Sequence, residues 1–353
     1  MNARPGEPLL RAHELTKTFT GRGPGGQLGG LLGGRHAFTA VDRVSFDIRA
    51  GETLAVVGES GSGKSTTARM AAKLMEPTGG SLEFAGEDVT RAKGPALAAF
   101  RKDVQVVFQD PYSSLNPRHT VERILMAPLD YQGIAPRGGR RALTKELMER
   151  VGLDPDHSQR YPAQFSGGQA QRIGIARALA VDPRLVICDE AVSALDVSVR
   201  AQVLDLLRRL QRESGYAYLF IAHDLAVVRR IAHRVAVMSE GRIVESGPCA
   251  QVFAAPKAPY TRTLLSAIPR INPEWDRTRR ARTAVQRAPT TARPGDDREA
   301  GGPGDDRAAD RPGDDRVADG PGDSCEADRR PNHREADRTG DRRVSDQGGT
   351  THG

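Results

Sequence analysis

Cysteine is scarce: three residues in a chain of 353, at Cys188, Cys249 and Cys325. They are too few and too scattered for a disulfide framework or a zinc site. Cys188, inside the apolar run Leu185-Val186-Ile187-Cys188, reads as a small buried hydrophobe. Long hydrophobic runs are also missing, and none approaches the roughly 20 apolar residues of a membrane helix. Met1-Asn2-Ala3-Arg4-Pro5-Gly6 has no apolar core before a small-residue cleavage site, so no secretory signal is expected and the protein should stay in the cytoplasm. Aromatics are only 5% and no basic block is interleaved with them. The net charge of +7 is spread over stretches that also carry Glu and Asp, a pattern that speaks against nucleic acid as a partner.

Apolar residues are 38% of the chain, below the usual share of roughly 45–50%, and the deficit is uneven. Up to about Pro273, apolar strands alternate with amphipathic helices. From about Arg277 the composition collapses to Arg, Asp, Gly, Pro and Ala. A nine-residue repeat beginning Arg293-Pro294-Gly295-Asp296-Asp297-Arg298 recurs at Gly302 and Arg311. A calcium-binding nonapeptide would need a large apolar residue where this repeat offers Ala or Val. Residues 274–353 are therefore expected to be a disordered, mixed-charge tail.

Residues 8–15 and 41–57 read as strands, with Val41, Val44, Phe46 and Ile48 set against polar neighbours. Residues 21–34 are too rich in glycine for a regular element and read as a flexible insertion. A strand over 53–57 leads through a glycine-rich turn into a helix over about 64–74, closed by Pro77-Thr78-Gly79-Gly80. A strand over 104–108 precedes a mostly helical block from about 121 to 180. Strand 185–188, helix 198–212, strand 218–221, helix 225–231 and a hairpin turning at Glu240-Gly241 follow. Strands alternating with helices predict a parallel α/β core. The helical block is too long for one crossover and is expected to form a separate lobe.

Three motifs carry chemistry. Gly58-Glu59-Ser60-Gly61-Ser62-Gly63-Lys64-Ser65, continued by Thr66, fits G-x-x-x-x-G-K-[ST] between a strand and a helix. Its backbone N–H groups and helix dipole suit phosphate, Lys64 suits the β- and γ-phosphates, and Ser65 suits Mg²⁺. At the end of the strand 185–188, Asp189 can hold Mg²⁺ and Glu190 can orient the attacking water. Phe165-Ser166-Gly167-Gly168-Gln169 puts small and hydroxyl residues at a helix start, a second place built for an anion.

With these three in this order, the chain resembles the ABC ATPase family, whose signature L-S-G-G-Q it matches except at Phe165. The resemblance implies an α/β P-loop NTPase core of the ABC type, with N-terminal antiparallel strands, an inserted helical lobe at about 111–180 and a domain ending near 273. It also implies ATP hydrolysis, with ATP and Mg²⁺ as cofactors. The implied dimer is head-to-tail, the turn Ser166, Gly167, Gly168, Gln169 of one subunit facing the ATP of the other. By the same resemblance Gln109 contacts Mg²⁺ or the attacking water, Ser193-Ala194-Leu195-Asp196 crosses the interface, and His223 contacts the γ-phosphate. The adenine-stacking aromatic is Phe19 or Phe38, with Phe19 preferred. Mg²⁺ falls to Ser65, Gln109 and Asp189.

The oligopeptide/dipeptide importer branch is the nearer likeness. It rests on residues 108–118, on 192–199, and on Ala258-Pro259-Tyr260-Thr261-Arg262-Thr263-Leu264-Leu265-Ser266-Ala267-Ile268-Pro269. A C-terminal extension over about 247–273 belongs to it. The implied partners are integral membrane permease subunits, a second ATPase subunit (paralogue or self) and an extracytoplasmic solute-binding protein. The implied location is the inner face of the cell membrane. The implied cargo is di- or oligopeptides, with nickel chelates or other small solutes as the alternative. A soluble ABC-type ATPase of translation or DNA repair would more often show two cassettes, heptads or Cys pairs, none of which is here. Two departures stand out: Ala191 replaces the proline that usually follows the catalytic glutamate, which would free the backbone there, and Ala170 replaces a usually polar or basic residue.

Overall fold

The computed structural model describes residues 7–22, 35–136 and 138–267. The tail with its repeat, Cys325, and residues 23–34 of the glycine-rich insertion lie outside the described residues.

In chain order the elements are β1 (Leu10–Arg22), β2 (Arg35–Ile48), β3 (Thr53–Val57), α1 (Lys64–Ala71), β4 (Gly79–Phe84), β5 (Glu87–Asp88), α2 (Gly94–Asp103) and β6 (Val104–Val107). They continue with α3 (Pro111–Ser114), α4 (Val121–Gln132), α5 (Arg140–Arg150), α6 (Gly167–Leu179), β7 (Leu185–Asp189), α7 (Val197–Ser214) and β8 (Ala217–Ala222). Last come α8 (Leu225–Ile231), β9 (Arg234–Ser239), β10 (Arg242–Pro248), α9 (Cys249–Ala254) and α10 (Pro259–Ser266). Two short 3-10 turns lie between α5 and α6.

Six strands form one sheet in the order β10-β9-β3-β8-β7-β6, parallel from β9 through β6. Its central strands are apolar because both faces are covered. Side chains alternate between two cores: Ala55, Val57, Val186, Cys188, Tyr218 and Phe220 face one, and Leu54, Val56, Leu185, Ile187, Leu219 and Ile221 the other. The first core is filled by α4–α8, with Leu125, Met126, Leu147, Ile173, Leu204 and Val228 buried in it. The second is filled by α1 and by an antiparallel sheet of order β2-β1-β4-β5, through Leu10, Leu15, Val41, Ile48 and Leu82. Each of these large side chains contributes roughly 1.5–3 kcal/mol by leaving water. Cys188 behaves as its sequence context suggests. Burial, with Asp189 beside it, pushes its thiol up to about 12.

Several boundaries differ from those read in the sequence. The expected strand 8–15 runs on to Arg22, and its partner begins at Arg35, so the ladder takes Gly21 and Arg22 from the insertion. Backbone pairing with a neighbouring strand outweighs the poor strand propensity of glycine there. The expected strand 41–57 is two strands separated by a turn at Ala50–Gly51. The first helix ends at Ala71 rather than near Leu74, because Lys73 turns left-handed at φ 51°. Gly79 and Gly80 open β4 rather than closing a unit, and β4, β5 and α2 went unread.

Ion pairs join the two sheets: Arg242 of β10 donates through Nε to Asp42 Oδ2 of β2 at 2.8 Å, and a second pair is less exposed. Arg234 at the start of β9 donates through Nη1 to Asp47 Oδ2 at 3.0 Å and through Nη2 to Oδ1 at 3.1 Å. These bonds hold the Asp47 carboxyl below its ordinary value near 3.8, against a smaller upward push from burial. A carboxylate with a depressed folded-state value contributes stability above that ordinary value and loses it as pH falls through the depressed one. Asp47→Asn is expected to cost about 1 kcal/mol at neutral pH. In urea melts run as a function of pH, the difference from the unaltered chain should shrink below about pH 4.

Candidate functional site

The carboxyl ends of parallel strands are where α/β sheets gather ligand-binding groups, and the registers here bring the chemistry to that edge. Val57 pairs with Ala222, so Gly58 and His223 leave the sheet side by side. Asp189 pairs with Ile221 and Val107 with Cys188, which sets Gln109 level with Glu190.

Residues 58–65 wrap between β3 and α1 and are held closely on two sides. A Cβ on Gly58 would fall 2.1 Å from the Met238 carbonyl oxygen. A Cβ on Gly63, whose φ is +100°, would fall 2.5 Å from the Ala40 carbonyl oxygen and 2.8 Å from Met238 Cε. Gly241 N–H donates to Ser62 O at 3.1 Å and moors the loop to the β9–β10 turn. With Gly63 as N-cap, no side chain caps α1 and no acidic residue lies in its first turn. The orphan N–H groups and positive dipole end of α1 are thus left for an anion.

Lys64 is buried, 4% exposed, and folds back so that Nζ donates to Glu59 O at 2.6 Å and lies 3.5 Å from Ser62 Oγ. Burial lowers its pKa, opposed by the nearby charges of Glu190, Asp189 and Glu59. Ser65 Oγ donates to Asp189 Oδ1 at 2.8 Å. Asp189 is raised by burial, with the Ser65 hydrogen bond and Arg69 pulling the other way. A hydroxyl and a carboxylate oxygen at one point are hard donors suited to Mg²⁺. Among the described residues no three His, Cys, Asp or Glu gather to hold a metal. Mg²⁺ here would complete its shell with phosphate oxygens and water, as it usually does.

Glu190 follows in a left-handed backbone conformation, φ 50°. A non-glycine residue there costs on the order of 1–3 kcal/mol. Its N–H donates to Ile221 O at 3.2 Å, and its carbonyl accepts from Ser193 N at 3.0 Å and Ser193 Oγ at 2.9 Å. These three bonds pin the backbone that the Ala191 departure was expected to free, and Ala191 itself is buried. The His223 Nδ1 atom lies 3.5 Å from Glu190 Oε2. Lys64, Ser65, Asp189, Glu190 and His223 are therefore brought together.

The Ser166–Gln169 turn is not part of that cluster. Ser166 caps α6, its Oγ accepting from Gln169 N at 3.3 Å while Gln169 Oε1 accepts from Ser166 N at 2.9 Å. Among the described residues no hydrogen bond or ion pair joins this turn to residues 58–65. The Ser166 hydroxyl serves as acceptor only, so its proton is available to an outside anion. Gly168 is required by contact, since a Cβ there would fall 2.3 Å from Val199 Cγ1. Phe165 and Ala170 are buried, and the Phe165 carbonyl accepts from Tyr112 Oη at 2.8 Å, so both departures are absorbed in packing. Gln109 is exposed at the end of β6.

Phe19 and Phe38 are cross-strand partners, 41% and 64% exposed. Phe38 is two residues from Ala40, whose carbonyl oxygen would lie 2.5 Å from a Cβ on Gly63. The two candidates for the adenine platform are thus opposite each other on one ladder, with Lys17 Nζ 5.5 Å from the Phe19 ring centre.

In the loop 193–196, Leu195 is buried and Asp196 caps α7, its Oδ1 accepting from Val199 N at 2.9 Å. Arg200 was not singled out in the sequence. It donates to the carbonyls of Ser193 at 3.4 Å and Leu195 at 3.0 Å and to Asp224 Oδ2 at 3.2 Å. It thereby ties this loop to the residue after His223. A cation near a helix N-terminus opposes the dipole, which was the available signal that it serves another partner.

Comparison with known proteins follows this geometry. Residues 41–193 match the family described as ABC transporter, and residues 244–295 match the oligopeptide/dipeptide transporter C-terminal region. The glutathione import ATP-binding protein GsiA of Escherichia coli K12 is 52% identical over 275 residues, covering 78% of this chain and 43% of its own length. GsiA of Shigella flexneri is 51% identical over the same span, with the same coverage. The chain thus spans less than half the length of these relatives. Among solved structures, the dimeric post-hydrolysis state of the ATP-binding cassette MJ0796 bound to ADP and Pi superposes with a TM-score of 0.59 at 28% identity, covering 68% of this chain and 98% of that one. The structure of cbiO1 from Clostridium perfringens, at 24% identity and TM-score 0.60, covers 76% of this chain and 99% of its own and shares the fold.

Gly63→Ala is expected to destabilise the chain by about 1–3 kcal/mol. A Cβ there has no room against Ala40 and sits on an unfavourable backbone. Thermal melts of the purified chain measure this, and an unchanged melting temperature would show that the loop is looser than its contacts imply.

Proposed function

Because the chain belongs to the ABC transporter ATP-binding family and carries the C-terminal region of its oligopeptide/dipeptide branch, we propose that it hydrolyses ATP to drive import of small peptides. The observation that carries this reading is the joining of Ser65 and Asp189 at 2.8 Å beside Glu190 and His223, 3.5 Å apart, at one edge of the sheet.

In this reading the α1 amides and Lys64 receive the β- and γ-phosphates, and the Phe19–Phe38 pair receives adenine. Mg²⁺ supplies charge neutralisation on the phosphate oxygens when bound, with Ser65 and Asp189 as its protein-side donors and Gln109 near it. Glu190 orients a water in line with the γ-phosphorus and accepts its proton. The bond from that phosphorus to the bridging oxygen breaks, leaving ADP and inorganic phosphate. His223 steadies the γ-phosphate. Positioning and electrostatics supply most of the acceleration.

The Ser166 turn points to a second subunit. Its available hydroxyl and glycines suit a phosphate, and among the described residues no hydrogen bond joins them to the phosphate loop of their own chain. We assign this turn to the ATP of a partner cassette in a head-to-tail dimer, with 193–196 at the interface. Among the described residues no helix is long and apolar enough to cross a membrane. By its family likeness, the proposed complex adds permease subunits, on whose cytoplasmic face this chain sits, and an extracytoplasmic solute-binding protein. The peptide reading is supported by the C-terminal match and by the relatives described as glutathione importers, glutathione being itself a small peptide.

Glu190→Gln is expected to lower steady-state ATP turnover of the assembled transporter by about 100-fold or more while ATP binding persists; undiminished turnover would remove Glu190 from the chemistry. Ser166→Arg, mixed with a partner cassette carrying an intact signature turn, is expected to disable the pocket facing the altered turn. Its measure is ATP-dependent dimer formation by light scattering, and dimers equal to those of the unaltered pair would sink the shared-site arrangement.

A further inference from the structure

The start of the phosphate loop is touched by a residue from far along the chain. The Glu59 N–H donates to Tyr260 Oη at 3.1 Å. Tyr260 lies in α10, inside the C-terminal region that matches the oligopeptide/dipeptide branch. Its ring packs on the main core with Phe253 and Leu264, so the hydroxyl is held by a fixed body. The start of α10 is in turn fixed to β10: Glu245 Oε1 accepts from Lys257 N at 2.8 Å, and Oε2 from Ala258 N at 3.0 Å. Glu245, α10 and Tyr260 make a strut from the edge of the sheet to the loop.

Glu59 has a second attachment, because Lys64 Nζ donates to its carbonyl at 2.6 Å. That bond cannot persist unchanged when the ammonium turns to phosphate. As Lys64 leaves, Glu59 keeps the bond its carbonyl accepts from Ser62 N at 3.2 Å inside the loop, and among the described residues the hydrogen bond that ties it to the chain outside the loop is the one to Tyr260.

We propose that Tyr260 is a positioning residue for the nucleotide site, holding the entrance of the phosphate loop in its binding geometry while Lys64 exchanges the Glu59 carbonyl for phosphate. This rests on the reading of residues 58–65 as the ATP site. It gives the C-terminal region a direct bearing on nucleotide affinity: movement of α10 relative to β10 would be felt at the loop.

Tyr260→Phe keeps the ring and removes the acceptor. In the full chain, titrated with Mg·ATP by calorimetry at a temperature where both proteins are folded, the dissociation constant is expected to rise about 3- to 10-fold. In the assembled transporter KM for ATP rises by a similar factor and kcat is retained, because no reacting group has been touched. Glu245→Ala, which loosens the other end of the strut, is expected to weaken binding likewise, and the double variant is expected to be no weaker than the poorer single one. Unchanged affinity in Tyr260→Phe overturns the proposal whatever happens to the melting temperature, as does a full addition of the two single effects. Lys64→Ala in the same titration separates the two readings. If it abolishes binding while Tyr260→Phe does not alter it, only the strut fails; if Lys64→Ala binds ATP normally, the nucleotide site itself has been misread.

Discussion

The hydrogen bond from Ser65 Oγ to Asp189 Oδ1 closes a circuit between two strands that are not neighbours. β3 and β7 are separated by β8. The bond forms only if both registers against β8 are right and if α1 starts where Gly63 lets it. A slip of one residue in the β7–β8 ladder would turn Asp189 toward the opposite core, and a slip in the β3–β8 ladder would shift the loop that leads to Ser65. The same registers place Glu190 against His223 and set β6, which leads to Gln109, next to β7. The packing of two hydrophobic cores against the two faces of one sheet is therefore what fixes the spacing of the polar groups at its end.

That edge holds strain as well as charge. Glu190 sits in a left-handed conformation, Lys64 and Asp189 are taken largely out of water, and the helix meeting them has no cap of its own. Each is unfavourable without a ligand, and each becomes favourable when a polyphosphate and a divalent cation are supplied. The surroundings keep the arrangement from relaxing: Ser193 and Ile221 pin Glu190, Met238 and Ala40 confine the glycine loop, and Arg200 binds the following loop to the end of β8. The alanine at 191 is tolerated because those bonds supply rigidity that a proline would otherwise bring.

The motifs legible in the sequence were those whose chemistry is local. Residues 58–65 announce themselves by glycine spacing and a lysine, and β7 by an apolar run ending in two carboxylates. The residues left unread owe their roles to tertiary contact. Arg200 and Tyr260 act on backbone groups 5 to 201 positions away, distances over which no periodicity carries a signal. Phe19 was preferred to Phe38 with no sight of their pairing, because the glycine-rich insertion lies between them and bulges between Ala12 and Thr18 shift the β1–β2 register. Only the folded ladder shows the two rings to be opposite each other. The missed strands β4 and β5 are short and mostly polar, and they pair in the ladder at the edge of the smaller sheet.

In the proposed reading, the cluster at the sheet edge and the capped turn at Ser166 are two halves of a phosphate-binding arrangement, and among the described residues no hydrogen bond joins them within one chain. The first half offers cationic and metal-directed groups. The second offers a neutral hydroxyl and a helix N-terminus, on helices that share one core with the sheet. If both halves faced one pocket in one subunit, nucleotide could be held and hydrolysed without any subunit motion, and binding energy would have no mechanical outlet. The proposed division between subunits would make closure of the interface the event that completes the site. A ligand shifts a conformational equilibrium only by its differential affinity for the two states, and a site that is whole only when closed supplies that difference.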